Sequence, residues 1–125
     1  MEKDFWTTIC EELGYRFFTG IPFVEATPLY KGMNPDMMHY IPAAHEDVAI
    51  KLATGTSISG FNSAVLLDID KIKKVSLDFN EKYSVPLLFI TNKAEKIKGL
   101  YVTDDLEKAV TYIEDKGKSA VFALG

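Results

Sequence analysis

Two short apolar stretches, Ala64 to Ile69 and Val85 to Thr91, constrain this chain more than any other feature. Neither alternates between apolar and polar residues, so each reads as a strand buried on both faces. A strand covered twice needs helices above and below it. Amphipathic helical patterns do separate the strand-like segments along the chain. Ile72, Val75, Phe79 and Tyr83 mark one side of a helix whose other side carries Lys, Asp and Glu. Leu106, Ala109, Val110 and Ile113 mark another, with Thr103 or Asp104 as its cap and Gly117 behind it. The pattern predicts a three-layer α/β fold: a mainly parallel sheet of about five or six strands with helices on both faces.

The remaining segments fit that frame. Phe5, Trp6, Ile9, Cys10 and Leu13 repeat with helical period, with Asp4 as a cap and Gly14 as a stop. Tyr15 to Thr19 reads as a strand. Gly20-Ile21-Pro22 reads as a turn, with Pro22 opening a short helix through Tyr30. Met38 to Ile41 is a short strand after a loop containing Gly32 and Pro35. Ala44 to Ser59 is the longest helix, with Ala44, Val48, Ala49, Leu52, Ala53 and Thr56 on one face. Those side chains are mostly small, which lets another backbone approach closely and predicts a homodimer when the chain is alone. Leu100 to Val102 and Ser119 to Leu124 complete the strands. At 125 residues, the whole of 1–125 is one domain.

Composition narrows the function classes. The net charge is -4 and Arg16 is the only arginine, which argues against nucleic acid as a partner. The longest apolar run is too short for a bilayer, and the Met-Glu-Lys-Asp start is not the basic opening of a signal peptide. A single cysteine, Cys10, rules out an intrachain disulfide and falls on an apolar stripe, as a small core residue would. These features predict a cytoplasmic protein with no membrane partner.

The most specific strings are Phe17-Phe18-Thr19-Gly20-Ile21-Pro22 and Tyr40-Ile41-Pro42-Ala43-Ala44-His45-Glu46-Asp47-Val48-Ala49-Ile50. They resemble the sulfopyruvate and phosphonopyruvate decarboxylase family of thiamine-diphosphate enzymes. In that family a Gly-Val-Pro turn follows the first strand, and an Ala-Asn-Glu segment opens an alanine- and glycine-rich helix. Val85-Pro86-Leu87-Leu88-Phe89-Ile90 is similar to the family's Ile-Pro-Leu-Leu strand. The resemblance implies a shortened, α-subunit-type pyrimidine-binding domain. It gives Glu46 the role of the carboxylate that hydrogen-bonds the cofactor's aminopyrimidine and helps generate the attacking carbanion. It places Gly20, Ile21 and Pro22 beside cofactor and substrate. A carboxylate doing such work must be held in a dry cleft, free to meet a ring nitrogen. Helix dipole alone also accounts for an acidic residue at that position, and Asp47 adjoins it.

The sequence also departs from the family. The glycine- and asparagine-rich loop expected after the strand Ala64 to Ile69 is missing, because Asp68-Ile69-Asp70 runs straight into a lysine-rich helix. His45 replaces the family's asparagine, as a new acid-base group or as a solvent-facing cap. The Gly-Asp-Gly and Asn-Asn signature that holds metal and diphosphate is absent. Thiamine diphosphate with magnesium is therefore expected only where a partner, a diphosphate-binding β-type subunit, supplies that half. The function implied is decarboxylation of a small anionic 2-oxoacid, active only with this partner. The alternative is a non-catalytic relative acting as an interaction or scaffold protein.

Other constellations give less. Ala64 to Asp70 resembles the nucleophile strand of haloacid-dehalogenase-type phosphatases, but Ile72 stands where that motif wants a threonine or valine. The plainer reading is two aspartates ending a strand and starting a helix. Lys71, Lys73 and Lys74 read as a solvated helix face or an anion site. Met33, Met37 and Met38 read as gap fillers or contact surface rather than ligands. No grouping of His, Cys, Asp and Glu has metal-ligand spacing.

Overall fold

A computed structural model of the chain describes residues 5–82 and 85–125, apart from the side chains of 76–82. Asp4, Phe79 and Tyr83, given roles above, lie outside these limits. The sheet has six strands, all parallel: β1 (Tyr15–Gly20), β2 (His39–Pro42), β3 (Asn62–Leu66), β4 (Leu88–Thr91), β5 (Tyr101–Thr103) and β6 (Ala120–Ala123). Their spatial order is β2-β1-β3-β4-β6-β5. The helices are α1 (Thr7–Glu12), wound as a π-helix, α2 (Thr27–Lys31), α3 (Glu46–Ile58), α4 (Ile69–Lys82) and α5 (Leu106–Lys116), with a 3-10 turn at Val24–Ala26. None of the described helices is long and apolar enough to cross a membrane.

The doubly apolar strands behave as their sequences require. Ala64 and Leu66 of β3 and Leu88 and Ile90 of β4 turn to one face, where they meet Trp6, Ile9, Phe18, Leu29, Val110 and Ile113. Val65, Leu67, Leu87 and Phe89 turn to the other, where they meet Ala49, Ile50, Ala53, Ile72 and Val75. Helices α1, α2 and α5 thus cover one face, and α3 and α4 the other. Alternation along a strand assigns each residue to one of two cores.

Several expected boundaries shift. Pro22 does not open a helix; the chain runs extended to Val24, and Pro28 takes the first turn of α2 instead. The strand ends at Leu66, and Ile69 already belongs to α4, because the Asp68 side chain accepts from Lys71 N at 3.0 Å and starts that helix. The cap of α5 is Asp105, which accepts from Lys108 N, while Thr103 accepts from Asp105 N. Gly117 ends α5 in the left-handed conformation at φ 64°. The face expected of α3 is also split. Ala49, Ile50 and Ala53 pack inward, whereas Val48 is 42% exposed. Ala49 and Ala53 bring α3 close to the chain's own sheet, while Ala44 and Val48 of the same expected face stay exposed.

Candidate functional site

In a parallel sheet the carboxyl ends of the strands share one edge, and the loops leaving them form the usual site. Gly20-Ile21-Pro22 leaves β1 at that edge. Gly20 has φ 149°, and a Cβ on it would lie 2.0 Å from the Leu66 carbonyl oxygen. Ile21 N donates to that same oxygen at 3.1 Å. The glycine is thus required by the approach of the β1 exit to β3, whatever else it does. The loop leaving β2 is tied to the turn, because Ala43 N donates to Gly20 O at 2.8 Å. Thr19 adds a side-chain bond to Ile41 O at 2.6 Å.

That loop ends in α3. His45 holds the cap position in extended backbone, exposed, with no side-chain cap bond. Glu46 follows as the first helical residue. Its side chain retains 20% exposure, and its carboxylate faces Lys74 Nζ of α4 at 3.6 Å. A hydrogen bond from its own backbone N–H holds the carboxyl below the usual glutamate range. Burial opposes that shift, and the charges of Lys74 and Lys71 reinforce it. A carboxylate free of partners is what the resemblance calls for; the structure gives Glu46 a partner from a helix 28 residues on, by numbering from Glu46 to Lys74.

The lysine run is therefore not an open anion site. Lys71 Nζ meets Asp68 Oδ2 at 3.0 Å, Lys73 meets Glu95, and Lys74 meets Glu46. Asp68 is the helix-starting residue of the plainer reading. Burial pushes its carboxyl up, but the Lys71 side chain and the backbone N–H groups of Lys71 and Asp70 outweigh that and hold it low. Cys10 is buried, and burial pushes its thiol up, as befits a core residue. Met38 is buried, and Met33 and Met37 pack against the same cluster. Among the described residues no group of three His, Cys, Asp or Glu could hold a metal ion.

Sequence reasoning missed two residues here. Lys74 as the partner of Glu46 leaves no local signal, since the contact joins two helices. Asn92 clasps the edge from β4: its Oδ1 accepts from Ile69 N at 3.0 Å and from Thr91 Oγ1 at 3.2 Å. An asparagine just past a buried strand could have signalled this. A broad surface concavity of about 770 Å³ lies elsewhere, among Trp6, Thr27, Lys31 and Asn34 on the α1/α2 face. It takes no part in the arrangement at Glu46.

Neither a family model nor a curated protein matches the sequence. Among solved structures, the fold is similar to that of a 2-oxoglutarate:ferredoxin oxidoreductase from Magnetococcus marinus, solved with 2-oxoglutarate, coenzyme A and succinyl-CoA bound. The TM-score is 0.69 at 13% identity, over 98% of this chain and 28% of that one. The chain thus spans little more than a quarter of that neighbour, and the likeness is one of fold. It bears out the expected three-layer α/β architecture, a parallel sheet with helices on both faces.

Proposed function

We propose that this chain is the pyrimidine-binding half of a two-part thiamine-diphosphate-dependent 2-oxoacid decarboxylase, of sulfopyruvate or phosphonopyruvate type. A diphosphate-binding subunit completes the site. The observation that carries the reading is the position of Glu46. It stands in the first turn of α3, at the carboxyl edge of a parallel sheet, on a loop hydrogen-bonded to the Gly20-Ile21-Pro22 turn. The substrate class draws support from the fold neighbour, whose bound 2-oxoglutarate is a 2-oxoacid.

The donor set fits one end of the cofactor. A carboxylate kept ionised by its own backbone N–H and by Lys74 can accept a hydrogen bond from a protonated ring nitrogen and hold the proton there. Ile21, half-buried against the α3/α4 core, offers the ring an apolar wall. The other end does not fit, since the described residues lack a metal-holding group, so magnesium and diphosphate must be held by the partner. When bound, thiamine diphosphate supplies the electron sink for the bond broken in decarboxylation.

The Lys74 pair favours a second reading, a non-catalytic interaction protein with the same fold. The short passage from β3 into α4 favours it as well. Magnitude decides the order. An ion pair at 3.6 Å whose lysine is 71% exposed contributes less than about 1 kcal/mol, which a ring N–H can displace. The test is carbon dioxide release from sulfopyruvate and phosphonopyruvate by the chain reconstituted with its diphosphate-binding subunit. Glu46→Gln should lower the rate by about two orders of magnitude. A wild-type complex that assembles but is inert, or a variant as active as wild type, would establish the second reading.

A further inference from the structure

At the opposite, amino-terminal end of β1 and β2 lies a groove of about 400 Å³, and its lining is chemically mixed. Arg16, the only arginine of the chain, lines it. The register of β1 against β3 slips between Tyr15 and Phe17, so Arg16 is the extra residue of a β-bulge. Bulges re-aim a side chain out of the alternation of the strand. Arg16 uses one N–H to reach Met37 O at 3.2 Å, which fixes the guanidinium over the loop before β2. Asp36, on that same loop, also lines the groove. Its backbone N–H is bonded to Asn34 Oδ1, which sets the turn. Among the described residues no ion pair engages Arg16 or Asp36, with each other or with any third group. Phe17, Met38 and Phe61 belong to the same lining, the last 55% exposed after the end of α3.

We propose that this groove binds an α-amino acid with an apolar side chain. The two opposite charges in one lining, not ion-paired with each other, select a ligand that carries both signs and no net charge. The ligand carboxylate meets the guanidinium, whose planar fork suits it. The ligand ammonium meets Asp36. The side chain lies on Phe17, Met38 and Phe61, where aromatic and thioether surfaces accept aliphatic or aromatic groups alike. A simple monocarboxylate would face Asp36 as a like charge, and a simple amine would face Arg16. The groove's volume holds one amino acid with room for its shell of water. The site lies at the other end of the sheet from Glu46 and does not depend on the role proposed there.

The test is a chemical-shift titration of the isotope-labelled chain with L-phenylalanine and L-leucine. Hydrocinnamate, which lacks the ammonium, and phenethylamine, which lacks the carboxylate, serve as controls. The expected result is saturable binding of at least one amino acid, with shifts confined to Phe17, Met38, His39 and Phe61 and their neighbours. Both controls should bind at least about tenfold more weakly, the loss of one charge-assisted contact. Arg16→Gln and Asp36→Asn should each weaken the amino acid by a similar factor. Both positions are exposed, and thermal melting checks that each variant folds. No saturable shift with either amino acid, controls that bind as well, or variants that bind undiminished would each overturn the proposal.

Discussion

The two faces of the sheet are packed in different ways. On the α1/α2/α5 face the core is built of large rings locked to one another. Trp6 meets Phe18 edge-on at 5.1 Å and Phe5 edge-on at 4.9 Å, and its indole N–H donates to Leu29 O at 2.9 Å. On the α3/α4 face the inner positions of α3 are Ala49, Ile50 and Ala53, set against Val65, Leu67, Leu87 and the single ring of Phe89. Its rim is a row of lysine–carboxylate pairs. One face is fixed by interlocking shapes; the other brings backbones close and leaves charge at its edge. The proposed reacting carboxylate sits on the second face, where a weak ion pair is easily exchanged for a ligand. The aromatic face carries rigidity that the site borrows through β1.

This contrast predicts that deletion hurts the first face most. Trp6→Ala should cost about 3–5 kcal/mol in urea unfolding, because it empties the centre of the aromatic cluster. Trp6→Phe should cost only about 1–2 kcal/mol, since Leu29 O keeps its bond from Gly32 N when the indole is lost. Equal losses for the two variants would mean that the hydrogen bond, not the ring packing, holds this face. Next comes the seam where the faces join. Gly20→Ala places a methyl against the Leu66 carbonyl at positive φ, a clash with backbone that cannot rotate away. A loss of about 3 kcal/mol is expected. A melting temperature like that of wild type would show that the β1 exit is far looser than drawn.

On the second face, insertion should hurt more than deletion. Ala53 is fully buried on the sheet side of α3, so Ala53→Leu must push the helix off β1 and β3 at a cost of about 1–3 kcal/mol. Ala53→Gly should cost roughly the helix-propensity difference of about 1 kcal/mol. A stabilised leucine variant would mean that the α3 seam holds an unfilled gap, and the contrast between the faces would fail.

The same contrast explains what was legible in the sequence. Doubly apolar strands with turn residues between helical repeats specify the layers, and the parallel sheet follows, because each signal is local. The alternation Ala64, Val65, Leu66, Leu67 even assigns residues to opposite cores. Boundaries were less legible where a side chain decides them. Asp68 ends β3 early by capping α4, and an apolar pattern cannot show a cap bond. The orientation of α3 was half legible: Ala49 and Ala53 face inward as the spacing requires, but Val48 and Ile50 exchange sides. Helical spacing gives the faces of a helix but not which neighbour claims a residue on the border. The order of Gly20-Ile21-Pro22 and Glu46 along one edge follows from strand-loop-helix succession. The Lys74 contact and the Arg16 bulge do not, because both depend on how distant segments register.

The smallest expected effect is the one that bears most on the site. Glu46 has its carboxyl lowered on folding, so its contribution to stability is present above the ordinary glutamate pKa of 4.5. That contribution is lost as pH falls through the lower, folded value. Lys74→Met removes one cation while its own backbone N–H and Lys71 still hold the carboxyl below the ordinary value. At neutral pH and low salt the variant should lose less than about 1 kcal/mol. The difference from wild type should shrink as the solution is acidified past the Glu46 titration, and also at high ionic strength, where exposed pairs are screened. Side-chain carboxyl titration by NMR should show the Glu46 transition moving up in the variant but staying below the ordinary range. A loss of several kcal/mol would mean that the pair is a structural clasp of the α3/α4 face, as firm as the rings opposite. Glu46 would then be committed to the fold, and the reading of a carboxylate available to a ring nitrogen would give way to the non-catalytic one.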